Sequence, residues 1–126
     1  MQQAASAYSK VAQAIQSPRE LEAAILMKAA TKLQAVRDDW TGKRPDLFEA
    51  LTYNRKLWTI LVSSATEDSN PLPAAVKQNV ANLSLFVFNH TLEVMTAPAP
   101  ERLAILITIN RELAAGLRAA PPAQAA

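Results

Sequence analysis

The chain has 126 residues, a net charge of +2 and no cysteine, which bounds it to one domain and excludes disulfides and thiolate metal sites. Thirteen basic residues stand against eleven acidic ones, so the charge balance does not imply an acidic partner. Twenty-five alanines and only two glycines favour helices and leave little room for tight β-hairpins. Composition therefore predicts an all-α protein.

Eight prolines mark the places where helices can begin, because proline is tolerated in the first helical turn and excluded from the interior. They stand between helix-like segments, at positions 18, 45, 71, 73, 98, 100, 121 and 122. This pattern predicts a small single-domain bundle of about five helices with short proline-marked loops. The helical domain is expected over residues 1–118, followed by a disordered Ala/Pro tail at 119–126.

The sequence marks the first three predicted helices with different clarity. Residues 4–15 form a weak helix whose only sizeable apolar anchors are Tyr8, Val11 and Ile15. The second begins at the capping-box pattern Ser17–Glu20 and carries one apolar stripe, made of Leu21, Ile25, Ala29, Leu33, Val36 and Trp40. The third begins near Pro45 and presents Leu47, Leu51, Asn54, Trp58 and Leu61. The polar run at 63–70 is expected to end it.

The last two predicted helices follow proline pairs. The fourth starts after Pro71 and Pro73 and extends to about Thr96. In the fifth, at about 100–118, Ile105, Ile107 and Ile109 alternate as they would in a buried strand. A stripe at helical spacing favours a helix instead, through Leu103, Leu106, Asn110, Leu113 and Leu117.

Two heptapeptides resemble each other, one in the third predicted helix and one in the fifth. Each places an asparagine on the apolar stripe with an arginine beside it, as Asn54–Arg55 and Asn110–Arg111. A lone polar residue at a packed position can bond across a bundle and fix its register, and we favour that interpretation. Alternatively, these residues grip a partner, or the similarity is a coincidence.

No catalytic or metal-binding constellation stands out. His90 is the only histidine, whereas a zinc or iron site needs several converging ligands. A hydrolytic triad would have to use His90 on an apolar helical face, and two scattered glycines cannot form a phosphate loop. Asp38 and Asp39 are adjacent on a helix, so their carboxylates diverge. We therefore expect no enzymatic activity, no metal and no cofactor.

Nucleic acid and membrane are also disfavoured as partners. The basic pairs Lys43–Arg44 and Arg55–Lys56 are interleaved with acids, namely Asp38, Asp39, Asp46 and Glu49, so no direct nucleic-acid binding is expected. The longest apolar runs, such as 103–107, fall far short of the ~18–20 residues of a membrane span. The N-terminus lacks the regions of a secretory signal. We expect a cytoplasmic protein.

An excess of apolar side chains marks the fourth predicted helix, where they cover more than half of its circumference. Such a helix is either central in the bundle or leaves a face for a partner. The second interpretation predicts a groove beside the fourth and fifth helices that receives an amphipathic helix. The candidate groove residues are Leu85, Phe88, Leu92, Met95, Ile105 and Ile109.

Five sequence phrases in register carry a family resemblance: Ser17–Glu20 followed by Ala23–Ala30, Asn54–Trp58, Asn70–Pro73, Asn79–Leu83 running into Phe86–Val87, and Ile109–Leu117. Over about residues 7–118 the chain resembles the FlaF family of flagellar biosynthesis regulators. The resemblance implies a cytoplasmic flagellin-binding chaperone that supports flagellin synthesis, secretion and flagellum assembly, with no catalytic residues. It implies flagellin as partner and FlbT as a further candidate. The alternative is a regulator of flagellin messenger RNA, acting directly or through FlbT.

Overall fold

A computed structural model describes residues 18–119, and they are arranged as four long helices without a strand. The long helices are α1 (Pro18–Asp38), α2 (Leu47–Ala65), α3 (Ala74–Thr96) and α4 (Ala104–Ala119). A short helix, Trp40–Lys43, and a 3-10 turn, Arg44–Asp46, join α1 to α2, while a 3-10 turn at Pro100–Leu103 leads into α4. The all-helical prediction is confirmed. The predicted first helix, at 4–15, and tail residues 120–126 lie outside the described residues.

Helix α1 makes its most extensive contact with α4, and the two helices run antiparallel, since Arg118 lies near Glu20 and Asn110 near Leu26. Arg118 Nε donates to Glu20 Oε1 at 3.0 Å across this pair. Both helices bury alanines, namely Ala23 and Ala30 on α1 and Ala114 on α4, and small side chains at a helix contact let two backbones approach closely. The sequence predicts Leu21 on the buried stripe of α1, but Leu21 is 46% exposed. Ala29, Leu33 and Val36 of the predicted stripe are buried as expected, and Leu26 is buried where Leu21 is not.

Helix α3 forms a hairpin with α2 and packs mainly against it. The loop between them is held by Asn70, whose Oδ1 accepts from Leu72 N–H at 2.9 Å and whose Nδ2 donates to Ser64 Oγ at 3.1 Å. The opposite side of α3 is exposed over several large apolar side chains. The interpretation of this helix as the centre of the bundle is therefore wrong, since α3 lies at its edge.

The segment at 104–119 is a helix, as its leucine stripe predicts, and not a strand. Ile107 and Ile109 are both buried together with Leu106, Leu113 and Leu117. The preceding 3-10 turn is tied to α3 through the carbonyl of Arg102, which lies 2.7 Å from His90 Nε2. Within residues 18–119 the structure contains no helix that combines the length and hydropathy needed to cross a bilayer.

The close α1–α4 contact predicts that added volume is tolerated on one side of α1 and not on the other. We expect Ala30→Leu to lower the free energy of unfolding by about 1–3 kcal/mol, because the side chain would overpack a filled contact. The matched control is Ala24→Leu on the exposed side of the same helix, which should change stability by less than about 0.5 kcal/mol. Urea unfolding followed by circular dichroism measures both. Equal effects would contradict the packing.

Candidate partner-binding surface

A continuous apolar stripe runs along the outside of α3. Leu85, Phe88, Leu92 and Met95 follow one another at spacings of three and four residues, so they share a helix face. Leu85 and Leu92 are 65% and 60% exposed, whereas Phe88 and Met95 are half-buried against the core. These four sequence-predicted residues are brought together, and we call them the α3 stripe.

The arrangement of side-chain sizes on α3 is unusual. Its buried face consists of small residues, namely Val80, Ser84, Val87, Thr91 and Val94, while the exposed large apolar residues are Leu85, Phe86 and Leu92. Burial of apolar area stabilises a monomer most when the largest apolar side chains point inward. The inverted order on α3 therefore leaves apolar area that only another molecule, or a further segment of this chain, could cover.

At the C-terminal end of α3, the α3 stripe continues onto the N-terminal end of α2. Met95 and Pro98 line a shallow groove there, together with Leu47, Phe48 and Leu51 of α2. Phe48 is 69% exposed, so it extends the apolar surface beyond the groove. Phe48 is not among the groove residues predicted from the sequence, because it lies one position away from Leu47, the start of the buried stripe of α2.

The two isoleucines predicted for the same groove are not part of this surface. Ile109 is buried in the core, and Ile105 is 40% exposed on α4. The chain enters α4 beside His90 of α3, through the Arg102 carbonyl. His90 and Leu92 are two residues apart, so they point to nearly opposite sides of the helix. Ile105 is therefore separated from the α3 stripe.

His90 lies on the side of α3 away from the α3 stripe, where its ring makes three contacts. Its ring stacks on Phe86, with 5.2 Å between ring centroids, and Nδ1 is 3.5 Å from Glu93 Oε2. Since Nε2 also meets the Arg102 carbonyl, the ring joins α3 to the turn before α4. Nowhere in 18–119 do three His, Cys, Asp or Glu side chains converge as metal ligands.

The two asparagines of the repeated heptapeptides meet in the core. Asn110 Nδ2 donates to Asn54 Oδ1 at 2.7 Å and points to the Leu26 carbonyl at 3.4 Å. Asn110 Oδ1 accepts from Trp58 Nε1–H at 2.9 Å. All three polar side chains are fully buried. The cross-bundle hydrogen bond predicted from the sequence is thus present, and it links α4 to both α1 and α2.

The arginines beside these asparagines are at the surface, not in the core. Arg55 and Arg111 are exposed, and Arg111 donates to Gln34 Oε1 at the surface of α1. They therefore lie outside the buried cluster. The hydrogen bond of Trp58 within the cluster was not predicted from the sequence. It could have been, because Trp58 lies one turn after Asn54 on the same face and a buried indole N–H needs an acceptor.

One carboxyl group has a perturbed titration. Burial raises the pKa of Glu22, on α1, above its ordinary value of 4.5, and the positive charge of Arg19 opposes the shift. The folded protein therefore holds this proton more tightly than the unfolded chain does, and the free energy of unfolding falls as pH rises through the raised pKa.

Residues 18–119 thus form a small helical bundle that exposes a long apolar stripe on α3 and buries Asn54 and Asn110 in its core. The family model of flagellar protein FlaF matches residues 4–117. The chain therefore belongs to the FlaF family of flagellar proteins. No curated protein and no solved structure matches it significantly.

The buried cluster predicts a large loss of stability when its centre is removed. Asn110→Leu leaves the Trp58 indole N–H without its acceptor and Asn54 Oδ1 without its donor, so we expect the free energy of unfolding to fall by roughly 2–5 kcal/mol. Arg111→Leu, at the next position on the surface, is the control and should cost less than about 1 kcal/mol. Denaturant unfolding followed by tryptophan fluorescence measures both. Similar losses for the two variants would contradict the cluster's role.

The raised pKa of Glu22 predicts a pH-dependent gain from neutralising it. At about pH 7, Glu22→Gln should unfold at a higher temperature than the parent, because no half-buried charge has to be maintained. At about pH 3 both the folded and unfolded carboxyl groups are protonated, so the difference should vanish. Glu112→Gln, at an exposed position of α4, is the control. A difference in melting temperature that does not change with pH would exclude this explanation.

Proposed function

We propose that the protein is a cytoplasmic chaperone that binds flagellin through the α3 stripe and supports its synthesis, secretion and assembly into the flagellum. Membership of the FlaF family supports the flagellar role. The observation that carries the binding mode is the inverted order on α3, where valines are buried and leucines are exposed. Together they favour a protein partner that brings its own apolar helix.

The geometry of the stripe suits an amphipathic helix. From Leu85 to Met95 it extends ten residues, or about 15 Å of helix, which matches two to three turns of a partner. Apolar residues at i, i+3, i+4 and i+7 of such a helix would pack along it. The flanking positions of α3 are polar and exposed, including Asn89 and Thr96, so the contact would have the polar rim typical of reversible interfaces.

The binding mode gives a mechanism without any covalent step. Flagellin termini are amphipathic helices that polymerise through their apolar faces and must stay apart before export. A protein that covers one of these faces would prevent premature association. Because the contact is apolar and of limited length, it can be released when the export apparatus takes the flagellin. FlbT is a further candidate partner on the same grounds of family membership.

The alternative proposal is a regulator that acts on flagellin messenger RNA, directly or through FlbT. The surface charges support it less than the apolar stripe supports the chaperone proposal, because acidic side chains lie among the basic ones. Lys32 lies 3.9 Å from Glu49, and Lys43 lines the same pocket as Asp46 and Glu49. Phosphate binding needs a basic stripe without such interleaving. Filter binding over a salt series separates the two, since phosphate contacts make affinity fall steeply with salt.

The direct test is calorimetry of purified flagellin with the parent protein and with Leu85→Asn/Leu92→Asn. Each leucine would bury a further part of its side chain in the complex. We therefore expect the double variant to bind about 10- to 100-fold more weakly. Both positions are exposed, so the variant should remain folded, and circular dichroism checks this.

A matched control is available on the other side of α2. Ile60 is 67% exposed, similar to the two leucines, and Ile60→Asn should leave flagellin affinity within about threefold, a small change on the free-energy scale. Equal weakening by both variants would remove the α3 stripe as the binding surface. No binding by the parent at roughly tens of micromolar would count against the chaperone proposal itself.

A further inference from the structure

Helix α3 repeats every seven residues in both residue type and burial. Its buried valines, its exposed leucines and its half-buried large residues each recur at this interval, as Val80, Val87 and Val94, as Leu85 and Leu92, and as Phe88 and Met95. Apolar residues at alternating spacings of three and four residues are the pattern by which one helix of a coiled coil packs on another. The α3 stripe thus has the spacing of a coiled-coil seam.

The charges of α3 itself do not border this seam. Exposed uncharged residues repeat along its outer flank at the same interval, namely Asn82, Asn89 and Thr96. The helix carries one lysine and two acid-base partners elsewhere: Lys77 Nζ donates to a backbone carbonyl of the loop before α3 at 3.1 Å, and Glu93 Oε2 lies 3.5 Å from His90 Nδ1. Charge beside the seam is therefore supplied mainly by neighbouring segments.

Two arginines stand at the C-terminal end of the seam, one on each side. Arg44 lines the groove beside Met95. Arg102 lines a second depression, beside Leu92. Both arginines are exposed. Among the described residues no carboxylate lines the groove, and Glu93 is the one that lines the second depression. Two positive charges thus stand against one negative charge at this end of the seam.

Each arginine is held by a contact that leaves its N–H groups open. The Arg44 guanidinium lies over the Trp40 ring, 4.7 Å from the ring centroid, and stacking on a ring leaves the edge of the guanidinium available. The carbonyl of Arg102 lies 2.7 Å from His90 Nε2, which fixes the backbone that carries the side chain. Within residues 18–119 neither arginine forms an ion pair. Both can therefore bind a carboxylate of another molecule.

We propose that the α3 stripe selects an acidic amphipathic helix, which packs on the seam with a seven-residue apolar repeat and places carboxylates against Arg44 and Arg102. This rests on the proposal that the α3 stripe is the binding surface, and it adds the feature by which the partner is chosen. Apolar residues of the helix interlock with Leu85 and Leu92. The charges beside the seam set its partner and register, as flanking charges do in coiled coils.

Labelled model peptides test the charge preference without flagellin. Two peptides of about three heptads carry leucine at the seam positions and differ only in having glutamate or lysine at the flanking positions, two residues of similar helix propensity. Fluorescence anisotropy at nanomolar peptide should show that the parent binds the glutamate peptide about tenfold more tightly than the lysine peptide. The preference should decrease when salt is raised from about 0.05 M to about 0.5 M.

Variants assign the preference to the two arginines. Arg44→Gln/Arg102→Gln should reduce it to less than about threefold, and circular dichroism checks that this variant is folded. The control, Arg37→Gln/Arg111→Gln, removes two arginines of α1 and α4 and should keep the preference. Leu85→Asn/Leu92→Asn should abolish binding of both peptides, because it removes the seam.

Equal affinity of the parent for the two peptides, or an equal loss of preference in the control, would overturn the selection of an acidic helix and leave the α3 stripe as a helix-binding surface. Absence of peptide binding at roughly tens of micromolar, or binding that survives in Leu85→Asn/Leu92→Asn, would overturn the seam itself. Flagellin binding is decided separately, by the calorimetry described for the proposed function.

Discussion

Asn110 is the constraint on which the arrangement of the bundle depends. Its amide bonds to Asn54 and Trp58 of α2 and points to the backbone carbonyl of Leu26 in α1. Apolar side chains pack acceptably in several registers, whereas a buried amide is satisfied in very few. The cluster therefore fixes α1, α2 and α4 relative to one another. The alanines between α1 and α4 then allow those two helices to approach closely.

The packing of α1, α2 and α4 around the cluster determines which contacts α3 can make. The three other helices are linked to one another through the cluster, whereas α3 packs mainly on α2 and lies at the edge. The residues that α3 buries are mostly valines, and its leucines Leu85 and Leu92 remain exposed. In a protein without a partner, leaving the larger apolar side chains of α3 exposed would forgo the stability that their burial provides. In a family of flagellar proteins it is consistent with a surface reserved for another protein's helix.

The sequence predicts the helices well because prolines and apolar periodicity both depend on local geometry. It also predicts a hydrogen bond across the bundle from an asparagine, because Asn54 and Asn110 each stand on an apolar stripe. That the two asparagines bond to each other is shown by the structure alone. On α1 the sequence correctly predicts that Ala29, Leu33 and Val36 are buried. It wrongly adds Leu21, because Leu21 and Leu26 both lie on plausible stripes and only the packing of the neighbouring helices decides between them. Ile105 and Ile109 were grouped with α3 for a similar reason: which side of α3 adjoins α4 depends on the His90–Arg102 contact, which involves a backbone carbonyl.

Amide chemical-shift mapping of the isotope-labelled protein on addition of flagellin tests whether the α3 stripe is the binding surface, as proposed above. We expect the largest shifts in α3 between Leu85 and Met95 and at Phe48 on α2. Shifts confined to α1 and α4, or a spectrum unchanged by flagellin, would contradict this proposal.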